Sequence, residues 1–222
     1  MGGLVRAGGV MLAAVTIASG GLAAGAGVAG AASSFFGSSG QIYEYPDFGG
    51  EYIGFGCMYE GPSTAVVGQE IAFTSVCTQG WGMGTDTPGP TAVMTSFTHS
   101  VPEGFEFVGA QVTSYDWDEP PYAIKVLPSS VAVDPTSGNV TLTPPSDGWT
   151  IPEGVDDGTY RSGDITVTLR YKPTAPLFEG GVSRVKYTGV VDGVNVPATP
   201  DKWFSTGITR VVGLPGTGSA GS

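Results

Sequence analysis

The chain has 222 residues, 41% hydrophobic and only 13% charged, and its 20 acids against nine Lys and Arg give a formal charge of -11. Such an acidic surface repels phosphate backbones and anionic lipid headgroups, which argues against nucleic-acid binding and electrostatic membrane docking. The length suits one sizeable core or two small ones.

In chain order, residues 1–31 read as a secretory signal peptide. Arg6 supplies the basic start, Val10 to Ala18 an apolar run, and Ala29-Gly30-Ala31 the small residues a peptidase reads. The mature chain then begins at Ala32 or Ser33, and losing Arg6 moves the formal charge from -11 to -12. A retained membrane anchor is the alternative, since no charge interrupts Ala7 to Tyr43. Against it, a spanning helix wants about 20 strongly apolar residues, and Gly and Ala dilute this stretch. On either reading the body of the chain lies outside the cytoplasm. Residues 32–44 read as a flexible N-terminal segment.

From Pro46 onward, short runs rich in Val, Thr, Ile, Phe and Tyr alternate with Gly and Pro punctuation. The spacing predicts strands over Tyr52 to Met58, Glu70 to Thr78, Ala92 to Val101, Phe105 to Thr113 and Ala123 to Leu127. It continues with Ser130 to Asp134, Asn139 to Thr143, Asp164 to Tyr171, Val182 to Val191 and Trp203 to Val212. In "DITVTLRY", Ile165, Val167, Leu169 and Tyr171 share one face, the mark of a half-buried strand. "VAVDPTSGNVTLT" sets a Pro-Thr-Ser-Gly turn between two alternating runs, a hairpin. "DGWTIPEGVDDG" reads as a long loop. Helical apolar spacing is not found beyond the signal segment. The expected fold is all-β, an antiparallel immunoglobulin-like sandwich over residues 45–212 with a barrel as the alternative, followed by a flexible Gly/Ser-rich tail over 213–222.

Two cysteines, Cys57 and Cys77, in an exported chain read as a structural disulfide. Closing a loop of about 19 residues contributes roughly 3 kcal/mol in the chain-entropy model. Two buried free thiols are the alternative. With one histidine in the chain the pair lacks the four ligands of a zinc site, and a C-x-x-C redox motif is absent.

The stretch "FTHSVPEGFEFVGAQV", Phe97 to Val112, resembles immunoglobulin-like domains of bacterial secreted and cell-surface proteins. There a strand ends in a Pro-x-Gly turn and an aromatic-rich return strand follows; "VVGQEIAFTSVCT" resembles the segment that launches an earlier strand. The likeness covers about a third of the mature chain, and two cysteines and a long acidic loop depart from it. It implies a non-catalytic extracellular module and transfers no site residues.

Candidate chemistry is sparse. His99 is the only histidine, and it precedes Ser100 in a strand, where neighbours point to opposite faces and make no nucleophile and base pair. Ser183-Arg184-Val185-Lys186 matches S-x-x-K, a motif that works on a helix; here it lies in an alternating strand. The loop "SYDWDEPPY" is the candidate ligand site. Asp116, Asp118 and Glu119 offer oxygens to calcium, or, with Tyr115, Trp117 and Tyr122, a stacking and hydrogen-bonding surface for a sugar. A solvated loop capping the sandwich is the plainer reading. Asn139-Val140-Thr141 is a glycosylation sequon within the hairpin. Leu214-Pro215-Gly216-Thr217-Gly218 matches the L-P-x-T-G sortase pattern, but the hydrophobic span and basic end of a sorting signal do not follow, so a flexible tail is expected.

The sequence therefore points to an exported interaction module with no catalytic centre and no cofactor, whose partner is a cell-envelope protein or glycan. The rival is a secreted glycan-binding accessory domain or hydrolase using residues 115–122. A structural envelope protein assembling through strand edges is a third possibility.

Overall fold

The computed structural model describes residues 47–48, 51–52, 55–79, 88–116, 124–156, 158–196 and 203–213. The expected signal segment 1–31, residues 32–44 and the tail beyond Gly213 lie outside them. In chain order the strands are β1 (Asp47–Phe48), β2 (Glu51–Tyr52), β3 (Phe55–Glu60), β4 (Thr64–Val66), β5 (Ile71–Gln79), β6 (Ala92–Ser100), β7 (Phe105–Tyr115), β8 (Lys125–Leu127) and β9 (Ser130–Val133). There follow β10 (Val140–Thr143), β11 (Trp149–Thr150), β12 (Glu153–Asp156), β13 (Thr159–Ser162), β14 (Asp164–Pro173), β15 (Leu177–Val191), β16 (Val194–Val196) and β17 (Phe204–Val212). The described residues contain no helix.

Two sheets enclose the core. One has the order β3-β5-β14-β7-β8, all antiparallel. The other has the path β4-β17-β15-β6-β10-β9, with β11 beside β6 and β16 beside β15. The first four strands of the smaller sheet take the places of strands A, B, E and D of an immunoglobulin-like sandwich, and β17, β15 and β6 those of G, F and C. β4 pairs in parallel with β17, so the first strand of the fold is shared between both sheets. β9 and β10 are an addition between the fourth and fifth strands, and they widen the larger sheet beyond β6.

Alternation builds the core as the sequence predicts. On β14 the side chains of Ile165, Val167, Leu169 and Tyr171 are all buried, and they face Phe97, Leu142, Val185 and Tyr187 of the larger sheet across one continuous cluster. β6 shifts parity midway, burying Met94 and then Phe97, because the register slips where Thr188 and Gly189 pair with it. The Asp134 to Asn139 hairpin turn forms as expected. Its Asp134 carboxylate accepts the backbone N–H groups of Thr136 and Ser137 at 2.8 and 3.3 Å, which hold its pKa below the usual carboxylate value.

Three features go beyond the expected strands. The Pro102-Glu103-Gly104 turn, with Gly104 at φ +90, carries the chain from one sheet to the other, so β7 returns on the opposite layer and does not pair with β6. The segment read as a long loop, "DGWTIPEGVDDG", contains β11 and β12, the latter paired with β13 just beyond it. β4 was not foreseen. The Cys57–Cys77 disulfide is present, joining directly opposed residues of β3 and β5 within the core.

Candidate functional site

Among the described residues, one histidine, two tyrosines and a serine gather inside the sandwich. His99, on β6 of the larger sheet, is fully buried between Tyr59 of β3 and Tyr171 of β14, both on the smaller sheet. Its Nε2 lies 2.8 Å from the Tyr59 hydroxyl and its Nδ1 2.8 Å from the Tyr171 hydroxyl. Tyr59 donates its own proton to Ser183 Oγ at 2.6 Å, which leaves its oxygen as acceptor toward His99. That assigns the ring proton to Nε2 and makes Nδ1 the acceptor of the Tyr171 hydroxyl. Ser183 Oγ passes the direction on to the Gly207 carbonyl at 3.4 Å. The result is a one-way chain of donors that crosses between the sheets from Tyr171 to His99, Tyr59 and Ser183.

Burial sets the protonation states. Desolvation drives the His99 pKa down to about 3, so the ring is neutral in the folded protein. The same cause pushes both tyrosines far up, with Ser183 opposing the rise at Tyr59 and Tyr59 adding to it at Tyr171. Phe73 completes the surround, its ring centroid 5.0 Å from that of His99 and 6.0 Å from that of Tyr59. Every member stays uncharged and hydrogen-bonded. This arrangement joins two sheets and leaves no face of the imidazole open to a substrate.

Sequence parity placed His99 and Ser100 on opposite faces, and the structure does so, burying His99 and turning Ser100 outward. Ser183 and Lys186 likewise separate: Ser183 enters the core, while the Lys186 ammonium lies 5.3 Å from the Trp203 ring centroid. What the sequence reading missed is that Tyr59, Tyr171 and Ser183 complete the histidine's environment. Each sits at an inward position of its strand, but only the packing of two sheets brings them together.

Of the candidate ligand loop, Tyr115 ends β7 opposite Asp164 of β14, and Asp116 follows it. Trp117, Asp118, Glu119 and Tyr122 lie outside the described residues. Beside this end of the sheet, half-burial raises the Asp164 pKa, and the Thr166 hydroxyl donated to its carboxylate at 2.9 Å opposes that rise. Among the described residues no three His, Cys, Asp or Glu side chains are placed to hold a metal ion.

No family model matches the sequence, and no curated protein matches it. Among solved structures the chain is similar to the C-terminal domain of the Streptococcus agalactiae AgI/II polypeptide BspA, at 11% identity and TM-score 0.41 over 66% of this chain and 44% of that one. It is similar to the collagen binding domain of the Erysipelothrix rhusiopathiae surface protein RspB, at 11% identity and TM-score 0.37 over 63% of this chain and 41% of that one. It is also similar to the collagen adhesin CNA from S. aureus, at 10% identity and TM-score 0.35 over 67% and 47%. The chain spans less than half the length of each of these three.

Proposed function

We propose that this chain is an exported, non-catalytic interaction module that presents binding loops on a rigid β-sandwich, working in the cell envelope or the extracellular space. The observation that carries the reading is the fate of His99. The one histidine of the chain is spent on joining the sheets, with both ring nitrogens bonded to buried hydroxyls. A fold that invests its versatile proton carrier in rigidity supports recognition by shape. The cross-strand disulfide supports an oxidising compartment. The partner is a cell-envelope protein or glycan, and residues 115–122 are the proposed binding loop, with Trp117 as stacking platform.

Intact-mass spectrometry of native protein from culture medium and washed cell wall tests the location. A species beginning at Ala32 or Ser33, about 2 Da heavier after reduction, supports export. A species retaining Met1 to Ala31 overturns cleavage of the signal segment, and one that also shows no mass change on reduction overturns export. Retention of polysaccharide binding after Trp117→Ala, and after conversion of Asp116, Asp118 and Glu119 to their amides, would exclude a glycan site in that loop.

A further inference from the structure

Charge is segregated between the two sheets. The strands of the smaller sheet mix Glu60, Glu106 and Asp164 with their cations, and Arg170 donates to Glu70 at 2.9 Å. Within the larger sheet, the strands carry Arg184, Lys186 and Arg210 but a single acid, Glu179, confined to the irregular start of β15. In a chain of net charge -11 this face is a basic exception. Its centre is also apolar: Val182 and Ile208 pair across β15 and β17, 43% and 61% exposed, with Arg184 and Arg210 on the rungs to either side. Both arginines are exposed. A phosphate or sulfate polymer would neutralise the cations and leave the aliphatic pair wet, whereas an acidic polypeptide carrying aromatic rings satisfies both.

This chain contains such a polypeptide. Residues 43–52, "YEYPDFGGEY", interleave Glu44, Asp47 and Glu51 with four aromatic rings. β1 and β2 within it pair only with each other and extend neither sheet. We propose that residues 43–52 of one copy dock on the Arg184–Val182–Ile208–Arg210 face of a second copy. The inference rests on the exported reading, in which removal of residues 1–31 makes this stretch an N-terminal arm.

Tyr59 lies beside Gly207, and the chain then advances to Thr64 opposite Arg210, so β3 and β17 run the same way and the N-terminal end of β3 lies toward the start of β17, while Ile208 and Arg210 lie further along it. The β1–β2 pair extends neither sheet of its own molecule, and its acids and rings complement the face of a second copy; docking on the molecule's own face is the alternative that the test separates. An arm of one copy on the face of the next is a heterologous contact, and it builds rows unless two copies exchange arms.

Sedimentation velocity of the mature, oxidised chain provides the test. Expected is growth beyond the monomer as concentration rises at about 50 mM salt, reversed at about 500 mM. Arg184→Glu with Arg210→Glu, and separately Glu44→Lys, Asp47→Lys and Glu51→Lys, should each give monomers with unchanged circular dichroism. Mixing these two variants should restore assembly in alternating rows, a rescue that misfolding cannot produce. A native chain that stays monomeric, assembly that survives either charge reversal, or failure of the mixture to assemble overturns the proposal. A synthetic 41–54 peptide that binds only an arm-deleted chain, with the full chain monomeric, assigns the face to the molecule's own arm and equally overturns it. The masses above report export separately, so a wrong compartment and a wrong interface give different results.

Discussion

His99 and Tyr59 come from opposite sheets and meet at 2.8 Å, ring Nε2 on phenol oxygen, in a core where neither group is exposed to water. A polar contact in such a place stabilises only when every donor and acceptor is matched, and here the next bond, from Tyr59 to Ser183, fixes the direction of the whole chain. The network thus selects one alignment of the sheets, since sliding either by a residue would strand a hydroxyl or a ring nitrogen.

Acid should weaken the fold through His99. Its folded pKa, about 3, lies below the ordinary 6.5 of an unfolded histidine. Between those values the unfolded chain binds a proton that the folded chain refuses, so stability is full above about pH 6.5 and declines as pH falls toward 3. The expected slope from this group approaches about 1.4 kcal/mol per pH unit. Urea titrations at several pH values, compared with His99→Gln, isolate it: the difference in stability between the two chains should shrink as pH drops. Parallel curves would show that His99 does not control the acid response.

The two tyrosines should differ. Tyr59→Phe strands the His99 Nε2 proton and leaves Ser183 Oγ with only its 3.4 Å bond to the Gly207 carbonyl, at a cost of about 3 kcal/mol, while Tyr171→Phe strands only Nδ1 and costs about 1–2 kcal/mol. Combined with Tyr59→Phe, Ser183→Ala should add less than it does alone, because its partner has already gone. Equilibrium unfolding of the single and double variants measures this. Additive losses would mean that Tyr59 and Ser183 are energetically independent despite the 2.6 Å bond.

Much of this architecture is legible one strand at a time. β14 declares its buried face by strict alternation, and the β9–β10 hairpin by Asp134 and the turn that follows. β4 is different: three residues, Thr64 to Val66, gain strand structure by pairing in parallel with Arg210 to Val212, and nothing local marks a partner that far along the chain. The β12–β13 hairpin hides in a Gly- and Asp-rich segment whose pairing, Glu153 with Ser162 through Asp156 with Thr159, substitutes for the missing apolar alternation. His99 shows its inward parity in sequence, between Phe97 and Val101, but the hydroxyls that satisfy it come from Tyr59 on β3 and Tyr171 on β14, and the Ser183 hydroxyl that orients Tyr59 comes from β15. Of the candidate ligand loop, the described structure reaches only Tyr115 and Asp116.

Replacing Cys57 and Cys77 by Ala should lower stability by roughly 3 kcal/mol, mostly by freeing the unfolded chain. An effect on the unfolded state lowers protection throughout the sandwich, and β3, an edge strand whose partner in its sheet is β5, should in addition open locally. Hydrogen exchange of the oxidised and Cys-free proteins separates the two contributions: amides of Phe55 to Glu60 should lose more protection than those of β14, which is paired on both sides and reports the global loss.

The same bridge decides how the sandwich bears tension. A pull entering before Phe55 reaches Cys57 and crosses directly to Cys77, so the intervening residues, among them β4 and its parallel pairing with β17, carry no load. Reduction puts them back in line. Pulled from its ends by optical tweezers, the oxidised chain should release a contour shorter than the reduced chain by about 65 Å, the extended length of some 19 residues. The β4–β17 clamp should resist only in the reduced form, where it is sheared along its strands. Equal contour lengths with and without reductant would show that the bridge does not close this loop in the native protein, and would remove the disulfide from any account of its mechanical or thermodynamic stability.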